Sequence, residues 1–454
     1  MQRLKTIWRN SVTAKAVTIA ILILVMLIPV GMIKGVVQDR VVHRMQAERD
    51  IMQAWGEAQV VAGPVLVLPY STRRSLDYGM TVVDAGHVFV LPDRLDVDAV
   101  MTPDERYRGV HKVAVYSAAV KIAGSFGIEN FDDLDIRFDD VAWDEAHLVL
   151  AVSDPRAIQE TPEVVVNGTP IRFAPASEQV QGMPPQIAAK LDSLRAPEDG
   201  VINLAFSLDL DLNGSQRLAF LPYGDTTRVT MTSTWASPSF FGSYLPANRT
   251  IDNDGFKAEW RVSSIGRPLP QRWTSGGIDA SVIGGNAFGA ELYTAINLYR
   301  VMLRATTYAV LFISLTFVAW FLFEILVRLK LHPLQYLLVG LANALFFLLL
   351  LSLAEHIGFG FAYLASAAAS SGLITGYSQA VLGQGRRAFT MFGVLAALYG
   401  FLYMTLQAEN YAMLFGSIAL WVALAAVMYL TRNIDWYGIG PSSDAPAAGA
   451  DARS

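Results

Sequence analysis

Two spacings of apolar residues divide this chain. From Leu334 to Ala354 there are 21 residues without a charge. As a helix they would extend about 31 Å at roughly 1.5 Å per residue, which matches the ~30 Å hydrocarbon core of a bilayer. Comparable stretches run over Ala16–Ile33, Ala305–Val327, Ile357–Leu382, Ala388–Leu406 and Tyr411–Leu430. The pattern predicts a polytopic α-helical membrane protein with six spans, one N-terminal and five C-terminal. Between the first and second spans the spacing changes to period two, which predicts a large all-β domain.

The first span follows Arg3, Lys5, Arg9 and Lys15, and no small-residue cleavage site follows it, only Val30-Gly31-Met32-Ile33-Lys34. It reads as an uncleaved anchor, bent near its outer end by Pro29. Val36 to Ala58 alternates charged residues with Val41, Met45, Ile51 and Trp55, as an amphipathic helical neck would. Arg44 and Glu48 are spaced to pair at i, i+4. Strands with explicit turns follow. Asn167-Gly168, Asn213-Gly214 and Asp254-Gly255 each sit between apolar runs and predict hairpins of type I′. Val82–Val90 reads as a fourth hairpin, and Lys112–Val120 as a further strand. Pro184-Pro185 and the polar run Ser193–Gly200 mark an expected boundary between two sheet units. Glu291–Val327 reads as one long helix that enters the membrane near Ala305.

Charge then orients the spans. Residues 38–304 hold 34 acidic and 24 basic side chains, net −10, while the remainder holds 6 acidic and 11 basic, net +5. Arg328 and Lys330 follow the second span, Arg386 and Arg387 the fourth, and Arg432 the sixth, whereas the alternate loops carry Glu355-His356 and Glu409. The positive-inside rule places both termini in the cytoplasm. The expected organisation is a cytoplasmic N-terminus and first helix at 1–37, a periplasmic domain at 38–304 (neck 38–58, β-rich 60–290, helical return 291–304), a five-helix bundle at 305–430, and a partly disordered cytoplasmic tail at 431–454. The acidic domain lacks the basic footprint of a nucleic-acid binder. The chain has no cysteine, so disulfides and thiolate chemistry are excluded together.

Chemical motifs are sparse. No GxSxG, HExxH or P-loop occurs, and the six histidines lack metal-ligand spacing. No catalytic, cofactor or metal residue is assigned. The acidic run Asp132, Asp133, Asp135, Asp139, Asp140, Asp144 and Glu145 is broken by Arg137 and has no turn glycine, so a solvated face is expected rather than a calcium loop. Trp235, Phe240, Phe241, Tyr244 and Trp260 are expected to fill a core rather than to form a sugar-stacking platform. Four polar residues in or near spans are functional candidates by default. Glu324 is spaced to pair with Arg328 near the cytoplasmic interface. Glu355 and His356 stand at an outer helix end, and Asn343 is an amide deep in a span, expected to bond a neighbouring helix. The fourth span carries Gly358, Ala362, Ser366 and Ser370 every four residues, which predicts a central helix in close contact with several neighbours.

The sequence resembles the CreD family of bacterial inner-membrane proteins. The resemblance rests on H-P-L-Q-Y-L-L-V-G-L-A from His332, L-L-L-L-S-L-A-E-H-I-G-F from Leu348, Y-G-F-L-Y from Tyr399, L-Q-A-E-N-Y-A-M-L-F-G-S from Leu406 and M-Y-L-T-R-N-I-D-W-Y from Met428. In the exported part it rests on G-P-V-L-V-L-P-Y from Gly63, W-A-S-P-S-F-F-G from Trp235 and L-P-Q-R-W from Leu269. Thr306-Thr307-Tyr308 departs from the pattern, where a basic residue before Tyr is expected. The resemblance implies an envelope-stress protein linked to colicin tolerance and the β-lactam response, with no established catalytic residues. The expected function is non-enzymatic envelope maintenance, with a β-domain that senses or binds a periplasmic envelope component. The alternative is a transporter or flippase component that uses the C-terminal helices. Expected partners are the lipid bilayer and an unidentified periplasmic component, with no nucleic acid and no cofactor.

Overall fold

The structure, a computed structural model, describes residues 12–75, 81–109, 111–177, 179–192, 194–196, 201–276, 282, 285–292, 298–327, 331–382, 385–408 and 411–432. Arg3, Lys5, Arg9, Ser193, residues 197–200, Arg328, Lys330, Glu409 and the tail from 433 onward lie outside them. The chain separates into two compact units, one of residues 1–43 with 296–454 and the other of residues 44–295.

The helical unit contains the first part of α1 (Val12–Trp55), then α2 (Leu298–Leu326), α3 (Pro333–Ile357), α4 (Phe359–Leu382), α5 (Gly385–Gln407) and α6 (Ala412–Thr431). Among the described residues, five of these, all but α4, are long and apolar enough to cross a membrane. Helix α4 has the length and no charge, but it is built largely of Gly, Ala and Ser, and no stretch of it is as apolar as the best stretch of the other five. It packs against both α3 and α5, with Ala362, Ser366, Ser370 and Ser371 buried. The start of α3 is set locally. His332 caps it by accepting the Leu334 N–H at 3.2 Å, Gln335 accepts the His332 N–H at 2.9 Å, and Pro333 occupies the first turn, where a missing donor costs nothing.

Among the described residues, the second unit is built of β-strands, with the end of α1, short 3₁₀ turns and a helical position at Val282 beside them. One sheet runs β13 (Pro238–Gly242), β17 (Phe288–Leu292), β11 (Arg217–Phe220), β1 (Gln59–Ser75), β5 (His147–Val152), β9 (Gln186–Lys190), β8 (Ala174–Pro175). In it β2 (Thr81–Val90) also pairs with β1, and β16 (Arg272–Thr274) pairs with β2. The other runs β14 (Asn248–Asp252), β15 (Gly255–Ser263), β12 (Thr226–Ser233), β3 (Arg94–Arg108), β4 (His111–Ile128), β10 (Ile202–Ser215), β6 (Glu163–Val166), β7 (Thr169–Arg172). Strict alternation in β10, with Ile202, Leu204, Phe206, Leu208, Leu210 and Leu212 buried and the residues between them exposed up to Asp211, puts one face of that sheet on the core.

Several expectations change here. The boundary expected at 184–200 separates a strand of one sheet from a strand of the other, but the sheets interleave in sequence and share one core. Leu66 and Val149 from the first sheet join Val97, Leu210 and Trp260 from the second. The aromatic group closes this core: Trp260 is fully buried, lies edge-to-face with Phe240 at 5.7 Å and meets Phe288 at 5.8 Å. Asn167-Gly168 forms the expected two-residue turn, with φ of 47° and 85°. The Asp252–Gly255 hairpin forms with Asn253-Asp254 as its turn. Asn213-Gly214 does not turn. It continues β10, and a Cβ on Gly214 would lie 2.3 Å from the Tyr116 hydroxyl, so this glycine makes room for a ring. Residues 81–90 form one strand, with Gly86 against the Tyr70 ring. Glu291 and Leu292 belong to β17, because Phe288, Ala290 and Leu292 alternate into the core, so they are not part of the helix, whose described residues are Leu298–Leu326. Of the acidic run, Asp133 pairs with Arg272 at 2.7 Å, and Arg137 lies within 4.0 Å of Asp139 and Asp140.

Helix α1 ends in a dense junction within this unit. Arg44 pairs with Glu48 at 2.5 Å as expected. Gly56, at φ +143°, sits where a Cβ would meet the Asn213 carbonyl at 2.8 Å, and the Ser215 hydroxyl donates to its carbonyl at 2.8 Å. The buried Gln59 amide donates to the Asn213 carbonyl at 3.1 Å and accepts from the Ser153 hydroxyl and the Asp154 N–H, both at 3.2 Å. Asp154 accepts the Glu57 N–H at 3.3 Å and holds Arg156 through two bonds of 2.8 and 3.1 Å. Burial alone would raise the Asp154 carboxyl, but the Arg156 side chain and the Glu57 N–H outweigh it and hold it below the usual carboxylate range.

Two outcomes follow. Trp260→Ala removes a ring shared by both sheets and should cost about 3–5 kcal/mol, read as a lower denaturation midpoint and faster hydrogen exchange across β12 and β15. Because the folded-state pKa of Asp154 is depressed, its contribution is present at neutral pH and lost as pH falls below about 4 toward the folded value. Asp154→Asn should therefore lose about 1 kcal/mol at pH 7 and show a shallower acid limb than the parent, as measured by denaturant unfolding at pH 7 and pH 3.

Candidate functional site

The four candidates fall in three layers of the helical unit. Glu324, near the end of α2, is 2% exposed. Its Oε2 accepts the Tyr336 hydroxyl of α3 at 2.8 Å, and its Oε1 accepts the Leu331 N–H at 3.2 Å. Lys15 of α1 completes the set with a direct ion pair. The expected partner, Arg328, lies outside the described residues, and the cation found on Glu324 comes from 309 positions away in sequence. Trp320 and Phe317 wall this group, their rings 6.0 and 5.8 Å from the Tyr336 ring.

At the other end of the same three helices the arrangement repeats with roles exchanged. The carboxylate is now on α3: Glu355, its side chain 11% exposed, accepts the Tyr299 hydroxyl of α2 at 3.1 Å. Arg40 of α1 approaches its Oε1 to 3.9 Å and is 53% exposed. His356 does not join its neighbour. It is exposed and bonds back to the Ser352 carbonyl at 3.0 Å, within its own helix. Lys15 and Arg40, like Tyr299 and Glu324, are 25 residues apart, about 37 Å of helix. The two clamps thus stand at opposite ends of a membrane-length bundle.

Midway, Asn343 of α3 is wholly buried, and its carbonyl oxygen accepts the Tyr399 hydroxyl of α5 at 3.3 Å, as expected for a helix-bonding amide. The Tyr363 hydroxyl of α4 donates to the Tyr399 carbonyl at 2.6 Å. Phe312 of α2 and Phe346 of α3 lie tilted against the Tyr399 ring, with centroids 4.6 and 4.8 Å away. Among the described residues, the Asn343 amide nitrogen and the Ser366 hydroxyl are buried without a hydrogen-bond partner.

Sequence reasoning passed over Lys15, Arg40, Tyr299, Tyr336 and Tyr399. Each hydroxyl lies on a helix other than that of its acceptor, so no local spacing ties the pair. The only signal was that each carboxylate near a span end needs a donor. An open groove of about 660 Å³ begins at the Arg40–Glu355 end and runs along α1, α3 and α4, past Leu345, Leu349 and Leu373 to Ala342.

The sequence profile of the family described as Inner membrane protein CreD matches residues 11–437. The chain belongs to the CreD family. It is 33% identical over 420 residues to the inner membrane protein CreD of Escherichia coli (strain K12), covering 91% of this chain and 91% of that protein. Crystal structures of an M1 zinc metallopeptidase from Deinococcus radiodurans align at a TM-score of 0.18. One of them, with a Tyr-Ser-Ala substrate bound, is 12% identical, with 38% of this chain and 39% of that one covered. Another, without that substrate, gives 12% identity over the same share of this chain and 38% of its own. A likeness that slight carries no argument about activity. The CreD family is one of inner-membrane proteins and is not a known enzyme family.

The clamp at Glu324 gives a stability prediction. Glu324→Met strands the Lys15 ammonium and the Tyr336 hydroxyl in a low-dielectric setting and should cost about 3 kcal/mol. Lys15→Met combined with Glu324→Met should recover part of that loss. A double-mutant cycle on thermal unfolding in detergent measures the coupling.

Proposed function

We propose that this protein is a non-enzymatic, multi-pass protein of the bacterial inner membrane that maintains the envelope under stress. Its all-β unit, inserted between α1 and α2, senses or binds a component of the periplasm. The observation that carries this reading is the pairing of one large β-domain with a clamped helical bundle in a chain of the CreD family. We place both termini in the cytoplasm and residues 38–304 in the periplasm, on the charge of the loops. Six spans fit better than five. Helix α3 ends at Ile357 and α4 begins at Phe359, while α5 opens with Arg386-Arg387, a cytoplasmic signature. A 24-residue helix joining those two levels has to cross. Its low hydropathy is tolerable because α3 and α5 cover it.

Glu324, Glu355 and Asn343 then serve as internal fasteners of the bundle. The transporter or flippase reading needs them as a relay, yet Glu324 is held by three donors, and the groove beside Glu355 is lined mainly by apolar side chains.

The topology is open to direct test, because a chain without cysteine gives no labelling background. An impermeant maleimide applied to cells with a permeabilised outer membrane should label Ile265→Cys, whose parent side chain is 96% exposed, and His356→Cys. It should label Gly385→Cys only after the inner membrane is opened. Labelling of all three from one side would overturn the arrangement. For function, deleting the gene should alter colicin and β-lactam tolerance, and the full-length protein should restore it. Turnover of peptidoglycan or lipid substrates by purified protein would refute the non-enzymatic reading. Loss of function in a stably inserted Glu324→Gln, Glu355→Gln, His356→Asn protein would favour transport.

A further inference from the structure

We infer that the groove along α1, α3 and α4 is a binding site for a zwitterionic aminophospholipid, with phosphate on Arg40, ammonium on Glu355 and an acyl chain along the leucines. The groove is an amphiphile in outline. Arg40, Glu355 and His356 lie at one end, and Leu345, Leu349 and Leu373, all exposed, line its length. From Ala342 to Glu355 is 13 residues, about 20 Å of helix, somewhat more than one leaflet of a ~30 Å hydrocarbon core. Its volume of about 660 Å³ falls in the usual range for ligand pockets, about 300–1,000 Å³.

The charge pattern chooses the occupant. Cation and carboxylate are only 3.9 Å apart at their nearest, so an anionic headgroup would meet Glu355 as well as Arg40. A headgroup carrying phosphate and ammonium together satisfies both. A second protein helix fits less well, because the small residues on which close helix packing in lipid relies, here Ala342, Ser352, Ala369 and Ser370, are interrupted by the exposed Leu345, Leu349 and Leu373. In a bilayer, moreover, apolar walls give an acyl chain no advantage over bulk lipid. Selectivity must therefore come from the charged end, and from hydrogen bonds to charged groups in particular.

The inference rests on the reading that puts these helices in a membrane, but not on any ligand of the β-domain. The full-length protein in detergent is equilibrated with phosphatidylethanolamine, phosphatidylglycerol or phosphatidylcholine of identical acyl chains, and bound lipid is counted by native mass spectrometry. Phosphatidylethanolamine should be retained roughly tenfold better than phosphatidylcholine, whose quaternary head lacks an N–H donor, the scale of one charged hydrogen bond. Glu355→Gln should abolish that preference, Arg40→Gln should lower retention of all three lipids by removing the cation on their shared phosphate, and Ala369→Phe, which fills the groove, should also reduce retention of all three. Equal retention of the three lipids, a preference unchanged in Glu355→Gln, retention unchanged in Arg40→Gln, or a protein dimer in place of the lipid adduct would overturn it. Arg40 is largely exposed, so its variant remains informative if Glu355→Gln fails to assemble. Failure here would leave the maleimide-labelling outcome untouched.

Discussion

A carboxylate buried at the end of a membrane helix must find donors, and that constraint organises the helical unit. Glu324 takes a hydroxyl from α3, a backbone N–H from the α2–α3 connection and an ammonium from α1. The last contact closes a loop that includes the whole β-domain. Closure entropy grows only slowly with loop length, so an insertion of this size does not prevent the contact. One clamp alone would still let the helices pivot. The second, at Glu355, joins the same three helices about 37 Å away along α1. In it the tyrosine lies on α2 and the carboxylate on α3, the reverse of the first. Two such points set the relative height and rotation of α1, α2 and α3 together.

Between the clamps, apolar side chains have little reason to prefer one another over lipid tails. Specific pairing there falls to rings and buried polar atoms. Tyr399 gathers Phe312, Phe346, Tyr363 and Asn343 from three other helices, and α4 fits closely through small residues. The helices are graded accordingly. The most apolar stretch of α3 is the most enclosed, whereas that of α6 has no buried residue and meets whatever surrounds the bundle with Leu420, Trp421 and Leu424 exposed.

Much of this could be read from sequence where the governing physics is local. Uncharged runs of spanning length, the Asn167-Gly168 turn, the Arg44–Glu48 pair and the alternation of β10 each depend on neighbours a few positions away. Local rules failed where a distant partner decides. Asn213-Gly214 has turn chemistry, but Tyr116 occupies the space above Gly214 and the strand runs on. Gly86 likewise makes room for Tyr70. No local spacing announces Lys15, 309 residues distant, as a cation on Glu324. The interleaving of the two sheets rests on pairings such as β1 with β11 and β3 with β12, both parallel, and parallel neighbours demand long crossovers that turn motifs do not announce.

The candidates differ most in what remains free to act. Glu324 is almost without solvent exposure, and its two oxygens hold three donors, so a proton or ion reaching it would have to break the clamp. Asn343 is sealed among aromatic rings, its carbonyl already committed to Tyr399. Only at Glu355 is one partner loose, since Arg40 stands 3.9 Å away and is more than half exposed. A charge pair held at that distance has not spent its hydrogen-bonding capacity on itself. Among the four candidates, the side chains open to lipid or water are those at the Arg40–Glu355 end of the bundle, where the groove also opens.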